Sequence, residues 1–318
     1  MSTIILLMTI VSTTLIYAAP LMFAALGGTF SERGGIVNVG LEGIMVVGAF
    51  SGAVFNLSFA KVLGPNALWL AILVGGLAGG GFSLLHAVAT INFRSDHIIS
   101  GTVLNMLAPA LCIFLTRVLY NQGQTPSLSV SLGTTTVPGL SQLPVLGPVF
   151  FTKTSPSGYF AIGVGILCWL LLYRTRFGLR LRSVGENPEA AATLGINVVA
   201  LRYSGVILSG LLGGMGGAIM AESITLNFSA TTIVGQGFMA LAVMIFGKWN
   251  PLGAIGASLF FGLAQSLAIV GDYIPVLSHL NQVWFQIAPY LITLVVLVLF
   301  FGQSTAPAAD GSTYIKSK

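Results

Sequence analysis

The sequence predicts an all-α integral membrane protein, a polytopic helical bundle of about nine spans, eight to ten, each needing ~20 apolar residues. The first observation behind this is composition: 318 residues, 55% hydrophobic and only 7% charged. A soluble domain carries about a quarter charged residues, so this chain could not cover a water-facing surface. The second is a mean hydropathy of +0.94. The third is that no polar stretch is long enough to enclose a core of its own. One membrane domain covering residues 1–318 is expected, and no soluble domain.

The apolar segments come in order. The first runs from Ile4 to Leu26. No Lys or Arg precedes it, and Pro20 follows Ala18 and Ala19, which speaks against a cleaved signal peptide and for a span that stays. A glycine-rich polar break, Gly27 to Gly35, follows. The second span covers Ile36 to Leu57 and contains Asn38 and Glu42. The third is Ala67–Ala89 and the fourth Ile98–Leu119. Residues 120–156 are rich in Ser, Thr, Pro, Gly and Gln, nearly uncharged, and read as a long external loop. The fifth span is Tyr159–Tyr173, and a charged stretch, 174–202, comes next. The sixth, seventh, eighth and ninth are Tyr203–Ala221, Ile224–Phe246, Leu252–Val270 and Val283–Phe301. A short polar tail ends in Lys316 and Lys318.

Lys and Arg collect on the cytoplasmic side of membrane proteins. Arg174, Arg176, Arg180, Arg182 and Arg202 flank one loop, which is therefore assigned to the cytoplasm. Alternation then puts the connections at Arg33, Arg94 and Lys248, and the tail, on the same side. Lys61, Lys153, Glu222, Asp272 and the amino terminus fall outside; Arg117, near the outer end of the fourth span, fits the scheme least well. The same bias accounts for the net charge of +5 without nucleic-acid binding, for which no basic-aromatic surface exists.

Two segments carry small residues at helix-packing spacing: Gly75, Gly76, Gly79 and Gly80, and Ser209, Gly210, Gly213, Gly214, Gly216 and Gly217. Residues four apart share a helix face, and small ones let backbones approach in lipid. No Gly-Lys-Ser/Thr follows the second group, and Gly247-Lys248 lacks the rest of a P-loop. The chain therefore has no nucleotide site of its own. Cys112 and Cys168 lie in apolar runs and read as small core residues. His86, His97 and His279 have no partner at metal-ligand spacing, so no metal is assigned.

Within 174–202, Asn187 is a good N-cap before Pro188. Glu189 suits the positive end of a helix dipole. Ala190, Ala191, Ala192 and Leu194 favour helix, and Gly195 can end it in the left-handed conformation. A helix over Pro188–Leu194, ~10 Å long, follows. It is too short to span and, alone in water, too short to be stable, so it needs something to pack against.

The intramembrane polar residues are the other candidates. Asn38 and Glu42, four apart, would share a helix face, and a carboxylate in hydrocarbon normally faces a cavity or a partner. They either line a pathway in a broken helix, helped by Gly40 and Gly43, or form a structural cap at the cytoplasmic membrane edge, with Glu42 bonded to neighbouring backbone amides. Asn105, Asn227, Gln236 and Gln265, with Phe228 and Phe238, could contact a polar heteroaromatic solute, although packing is the first reading of each taken singly.

Two motifs carry a family resemblance. Gly185-Glu186-Asn187-Pro188-Glu189-Ala190-Ala191-Ala192-Thr193-Leu194-Gly195-Ile196, after Thr175-Arg176-Phe177-Gly178, resembles the coupling loop of ABC importer permeases. Gly27 to Gly43, with Ser31-Glu32-Arg33 and Asn38-Val39-Gly40-Leu41-Glu42-Gly43, resembles the signature of the nucleoside and simple-sugar permeases, most closely the nucleoside branch, whose binding lipoproteins are of the basic-membrane-protein type. The resemblance implies a type II-like importer permease fold with a short cytoplasmic coupling helix, in the bacterial cytoplasmic membrane. It implies that Gly185, Glu186, Asn187, Pro188, Glu189, Ala190, Ala191, Leu194 and Gly195 meet a cytoplasmic ATPase, which binds the ATP and Mg that this chain does not. It further implies a second permease subunit, either a related chain or a second copy of this one, an external substrate-binding lipoprotein and a nucleoside substrate, with the 120–156 loop as docking surface. Ribose- or galactose-like sugars are the alternative substrates. An ion-coupled secondary transporter would need more buried ionisable residues than Glu42, and an intramembrane enzyme would need a His/Asp metal set or Gly-x-Ser-x-Gly, neither of which is present.

Overall fold

Helix α1 (Thr3–Arg33) is 31 residues long, or ~46 Å, enough to cross a ~30 Å hydrocarbon core and continue beyond it. The computed structural model describes residues 3–144, 146–271 and 305–315, with four isolated helical positions, Trp284, Ile287, Leu291 and Val295. The expected break at Gly27-Gly28 does not occur: α1 runs through both glycines. A Cβ at Gly27 would lie 2.7 Å from the Ser209 carbonyl oxygen, and one at Gly28 2.9 Å from the Met244 sulfur. Close packing, and not chain reversal, is what these glycines provide.

The other long helices follow the apolar segments closely. They are α2 (Leu41–Leu63), α3 (Asn66–Ala87), α4 (His97–Tyr120), α6 (Pro156–Arg174), α9 (Val198–Met220) and α11 (Pro251–Val270). Five-residue π-turns, Val88–Asn92 and Ala221–Thr225, extend α3 and α9. Seven helices among the described residues are long and apolar enough to cross a membrane. The expected seventh span, Ile224–Phe246, is not one helix: only α10 (Gln236–Phe246), 11 residues, is helical beyond the π-turn. The ninth, Val283–Phe301, lies outside the described residues apart from the four positions named, as do His279, Asp272, Lys316 and Lys318.

Helix α9 is the centre of the bundle, packed on α1, α2 and α3. The two predicted small-residue faces meet here. A Cβ at Gly79 would lie 2.5 Å from the Gly210 carbonyl oxygen, and Gly75 faces Gly48 and Gly214 as closely. Lipid offers no hydrophobic drive for one helix to join another, so this backbone-to-backbone approach supplies the attraction through close van der Waals packing.

The connections sort into two ends. At one end Arg33 donates from Nε to the Trp249 carbonyl at 2.9 Å, and the Tyr203 hydroxyl donates to Asn92 Oδ1 at 2.6 Å. The stretch 174–202 lies at this Arg33 end; it holds α7 (Arg176–Glu186), which the sequence reading left as loop, and α8 (Pro188–Thr193). At the other end Ser12 donates to the Lys153 carbonyl at 3.0 Å. There the 120–156 loop, with the short helix α5 (Leu146–Phe151), folds back onto the residues after α9. Thr125 N donates to Phe228 O (2.9 Å), Leu128 N to Leu226 O (2.8 Å) and Leu132 N to Glu222 O (3.1 Å).

Candidate functional site

The connection from α1 to α2, residues 34–40, is non-helical, yet α2 begins beside Gly213, well inside the α9 span. Backbone without helical bonds at that depth must find other partners, and side chains provide them. Ser31 Oγ donates to the Ile36 carbonyl at 2.6 Å. His97 Nδ1 accepts from Val37 N at 3.3 Å, and His86 Nε2 bonds the Val37 carbonyl at 3.0 Å. A carbonyl can only accept, so a neutral His86 carries its proton on Nε2, and Nδ1 accepts from the Ser100 hydroxyl at 2.9 Å. Asn105 Nδ2 donates to the Val39 carbonyl (2.9 Å) while its Oδ1 accepts from Gly43 N (2.8 Å). Asn38 Nδ2 donates to Ser209 Oγ at 2.9 Å.

Asn38 therefore does not share a helix face with Glu42, as the four-residue spacing suggested. Asn38 lies in the crossing segment, and Glu42 lies in the first turn of α2. Glu42 reaches across to α10. Its Oε1 accepts from Gly235 N and its Oε2 from Gly237 N, both at 2.6 Å. These amides belong to the start of α10, which has no side-chain cap of its own and is entered through Gly235 at φ +74°. The carboxylate thus caps one helix from the first turn of another, where both helix dipoles favour negative charge. A Cβ on Gly237 would lie 2.5 Å from the Glu42 Cα, so only glycine lets the two helix starts meet. The carboxylate thus bonds to backbone amides, as the capping alternative expected, but to those of a distant helix and beside the middle of α9, not to neighbouring amides at a membrane edge.

Two helix starts, those of α2 and α10, and two stretches of irregular backbone, 34–40 and 226–235, meet at this junction. The other candidates distribute around it. Gln236 opens α10 half-buried, and Phe238, in the same first turn, is 52% exposed. Phe228 is buried and packs edge-to-face on Phe50 at 5.4 Å, so it has no free face for a solute here. Asn227 is half-buried, with its carbonyl accepting from Thr225 Oγ1 at 2.8 Å. Gln265, on α11, donates to the Met239 sulfur at 3.1 Å and belongs to packing between α10 and α11. Toward the Ser12–Lys153 end an open hollow of about 540 Å³ lies between Gln122, Gly123 and Gln124 of the long loop and Ser229, Ala230 and Thr231. Its uncharged amides and hydroxyls were not singled out from the sequence.

The second constellation is at the Arg33 end. Thr175 caps α7 by accepting from Gly178 N (3.2 Å), and Asn187 caps α8 by accepting from Ala190 N (2.9 Å). Gly195, at φ +75°, follows the end of α8, as expected. Val184 of α7, Ala191 of α8 and Val198 of α9 form a small apolar cluster beneath the pair. Leu194 is 80% exposed, and Glu189 and Ala190 also face outward. Arg182 stacks on Tyr173 (4.5 Å) and Arg174 on Trp169 (5.5 Å), holding their charges at the span's edge. Arg33 pairs with Glu186 at 3.6 Å, and Trp249 Nε1 donates to the buried Glu32 at 2.6 Å. The tail, residues 305–315, returns to this end: Ala309 N donates to the Gly185 carbonyl (2.9 Å) and Arg202 Nη1 to the Ser312 carbonyl (2.9 Å). Asp310 in that tail has its carboxyl pushed up to about 7 by burial; its hydrogen bond to Glu32 and the nearby Arg202 guanidinium act the other way. Sequence reading missed the tail because nothing in its composition marks a docking partner.

Residues 10–300 match the family described as branched-chain amino acid transport system / permease component. The chain is 60% identical to the nucleoside ABC transporter permease protein NupC of Lactococcus lactis subsp. cremoris (strain MG1363), with 97% of each chain covered. It is 49% identical to the guanosine ABC transporter permease protein NupQ of Bacillus subtilis (strain 168), again over 97% of each. It is 25% identical to the glucose ABC transporter permease protein TsgB13 of Haloferax volcanii, over 78% of this chain and 66% of that one.

Proposed function

The chain belongs to the branched-chain amino acid transport system / permease component family, and we propose that it is the membrane-spanning permease subunit of an ATP-binding-cassette importer for nucleosides. It is a multi-pass protein of the cytoplasmic membrane and a transport subunit, not an enzyme; ATP is hydrolysed by a separate ATPase subunit, and an external substrate-binding protein delivers the solute. The observation that carries the nucleoside reading is the 60% identity to a nucleoside permease over 97% of both chains.

The mechanism follows from the two constellations. Helix α8, with Gly185 to Gly195 around it, is the coupling helix at the cytoplasmic end. Its exposed Glu189, Ala190 and Leu194 meet the ATPase, which binds ATP and Mg. Movement there reaches α1 through the Arg33–Glu186 pair and α9 through the Val184, Ala191 and Val198 cluster. Both helices border the intramembrane junction, where Asn38 ties the crossing segment to Ser209 of α9 and Glu42 caps the start of α10, and Gln236 and Phe238 face the pathway. A second, related permease completes that pathway on the exposed side of α10. Asn105, Asn227, Phe228 and Gln265 shape it from behind. Amides and hydroxyls around the hollow beside the long loop suit ribose hydroxyls and base edges, and bind weakly enough to release them.

The test is uptake of radiolabelled guanosine by cells carrying the complete importer, with competition by other nucleosides, nucleobases, ribose and glucose. Competition by nucleosides alone is the expected result. Competition by simple sugars alone would replace the substrate assignment with the sugar reading, which the likeness to a glucose permease favours.

A further inference from the structure

The carboxyl-terminal tail makes more contacts than a chain end needs. It is short, polar and outside every span, yet its backbone is tied to three separate elements. Ala309 N donates to the Gly185 carbonyl at 2.9 Å, in the last turn of α7, where a carbonyl has no partner inside its own helix. Ala308 N donates to Glu186 Oε2 at 3.2 Å. Gly311 N donates to the Gly35 carbonyl at 3.3 Å, just beyond α1. The Ser312 carbonyl accepts from Arg202 Nη1 at 2.9 Å, in the first turns of α9. Pro307 and Ala309 are buried. Tyr314 packs on the cluster of Val184, Ala191 and Val198 and lies 6.0 Å under the Arg202 guanidinium.

Each of these elements belongs to the transmission route. Gly185 and Glu186 lead into α8, Gly35 starts the intramembrane crossing, and Arg202 begins α9. Apart from the tail, α7 is anchored by Leu181 in the main core and by Arg182, which donates from Nε to the Leu172 carbonyl at 3.1 Å and stacks on Tyr173, while the Val184, Ala191 and Val198 cluster and the Arg33–Glu186 pair join the α7–α8 pair to α9 and α1. Helices as short as α8 do not hold an orientation by themselves, so an element that fixes the pair to both α1 and α9 decides how much of an applied displacement reaches them.

We propose that residues 307–314 are a strap that positions the coupling helix, making the α7–α8 pair, the end of α1 and the start of α9 move as one body. The proposal rests on the coupling role of α8 given above. Without the strap the ATPase still docks and still hydrolyses ATP, but its stroke is absorbed by tilting of α7–α8, and transport per ATP falls. The strap's side-chain anchor is Tyr314; its backbone anchors are Ala308, Ala309, Gly311 and Ser312.

The experiment reconstitutes the complete complex, with ATPase, second permease and binding protein, in proteoliposomes. It compares the full chain, Tyr314→Ala, Tyr314→Phe and a chain ending at Thr305. Co-purification of the ATPase, ATP hydrolysis and nucleoside taken up per ATP are measured. Phe keeps both the apolar packing and the face under Arg202, so Tyr314→Phe is expected to match the full chain. Tyr314→Ala is expected to keep the ATPase bound and hydrolysing while uptake per ATP falls by several-fold. The truncated chain, which loses all of these hydrogen bonds as well as the Tyr314 packing, should fall by about tenfold or more. Uptake per ATP within about twofold of the full chain in both Tyr314→Ala and the truncated chain would overturn the strap, a twofold change being well below one hydrogen bond. If truncation prevents assembly, Tyr314→Ala decides alone. Failure of the full chain itself to show ATP-dependent uptake would instead sink the permease reading, so the two are told apart.

Discussion

Replacing Glu42 with Gln is the sharpest perturbation of the intramembrane junction. The side chain keeps its length, so packing is unchanged and only the bonds to Gly235 N and Gly237 N alter. A Gln amide offers one oxygen where the carboxylate offers two. One backbone N–H would keep a neutral acceptor in place of a charged one, a loss of ~1 kcal/mol. The other would face an NH₂ group and be left without an acceptor inside the membrane, at ~1–3 kcal/mol. The sum is ~2–4 kcal/mol against the present arrangement of the two helix starts, without allowing for relaxation. Glu42→Gln should assemble with its ATPase, unfold at a lower temperature than the parent in the same detergent, and lose most nucleoside uptake. Glu42→Asp, one methylene shorter, should also fail to hold both amides. Parental thermal stability and parental uptake in correctly assembled Glu42→Gln would refute the reasoning, because a carboxylate cap that can be removed without consequence is not holding the junction.

Gly79→Val should lower stability by ~2–3 kcal/mol by forcing α3 from the Gly210 carbonyl, whereas Gly81→Ala, which meets nothing within 4 Å, should be neutral or slightly stabilising in the same thermal assay. Asn105→Leu would strand both Gly43 N and the Val39 carbonyl and should cost ~2–4 kcal/mol, read as loss of folded, monodisperse protein on heating. Asp310 sets a pH dependence: burial raises its carboxyl toward about 7, so the docked tail holds more protons than the free one. Docking of the tail should therefore be strongest in acid and weaken as pH rises toward and through neutrality; limited proteolysis of the tail at pH 5 and pH 8 checks this, and the difference should shrink in Asp310→Asn.

Most of the spans could be read directly, because hydrophobic length is the one property a lipid-facing helix cannot dispense with. The glycine faces of α3 and α9 were equally legible, since a spacing of four leaves little else for them to do in lipid. Helix α8 followed from Asn187, Pro188 and Gly195, whose capping roles are local. What failed was non-local. Gly27 and Gly28 looked like a break because a helix pays for glycine unless a neighbour comes close, and the neighbours, Ser209 and Met244, are some 180 and 216 residues away in sequence. The segment Ile224–Phe246 looked like a span because its hydropathy is the same whether the backbone is helical throughout or only in its second half. Asn38 and Glu42 were placed on one helix by counting residues. The turn that separates them is held by His86, His97 and Asn105, and nothing in the local sequence signals those bonds. The tail was invisible for a further reason: its contacts are mostly made by backbone groups, which every residue has.

The account's central claim is that energy for nucleoside movement enters from outside this chain, through α8. The most direct measurement is guanosine uptake into proteoliposomes holding the complete complex with the external binding protein. ATP, a non-hydrolysable ATP analogue and an imposed proton or sodium gradient are compared as the only energy source. Accumulation with hydrolysable ATP alone, abolished when α8 is disrupted by Ala191→Pro while the spans remain folded, is the predicted result. Accumulation driven by the ion gradient without ATP hydrolysis would contradict the claim.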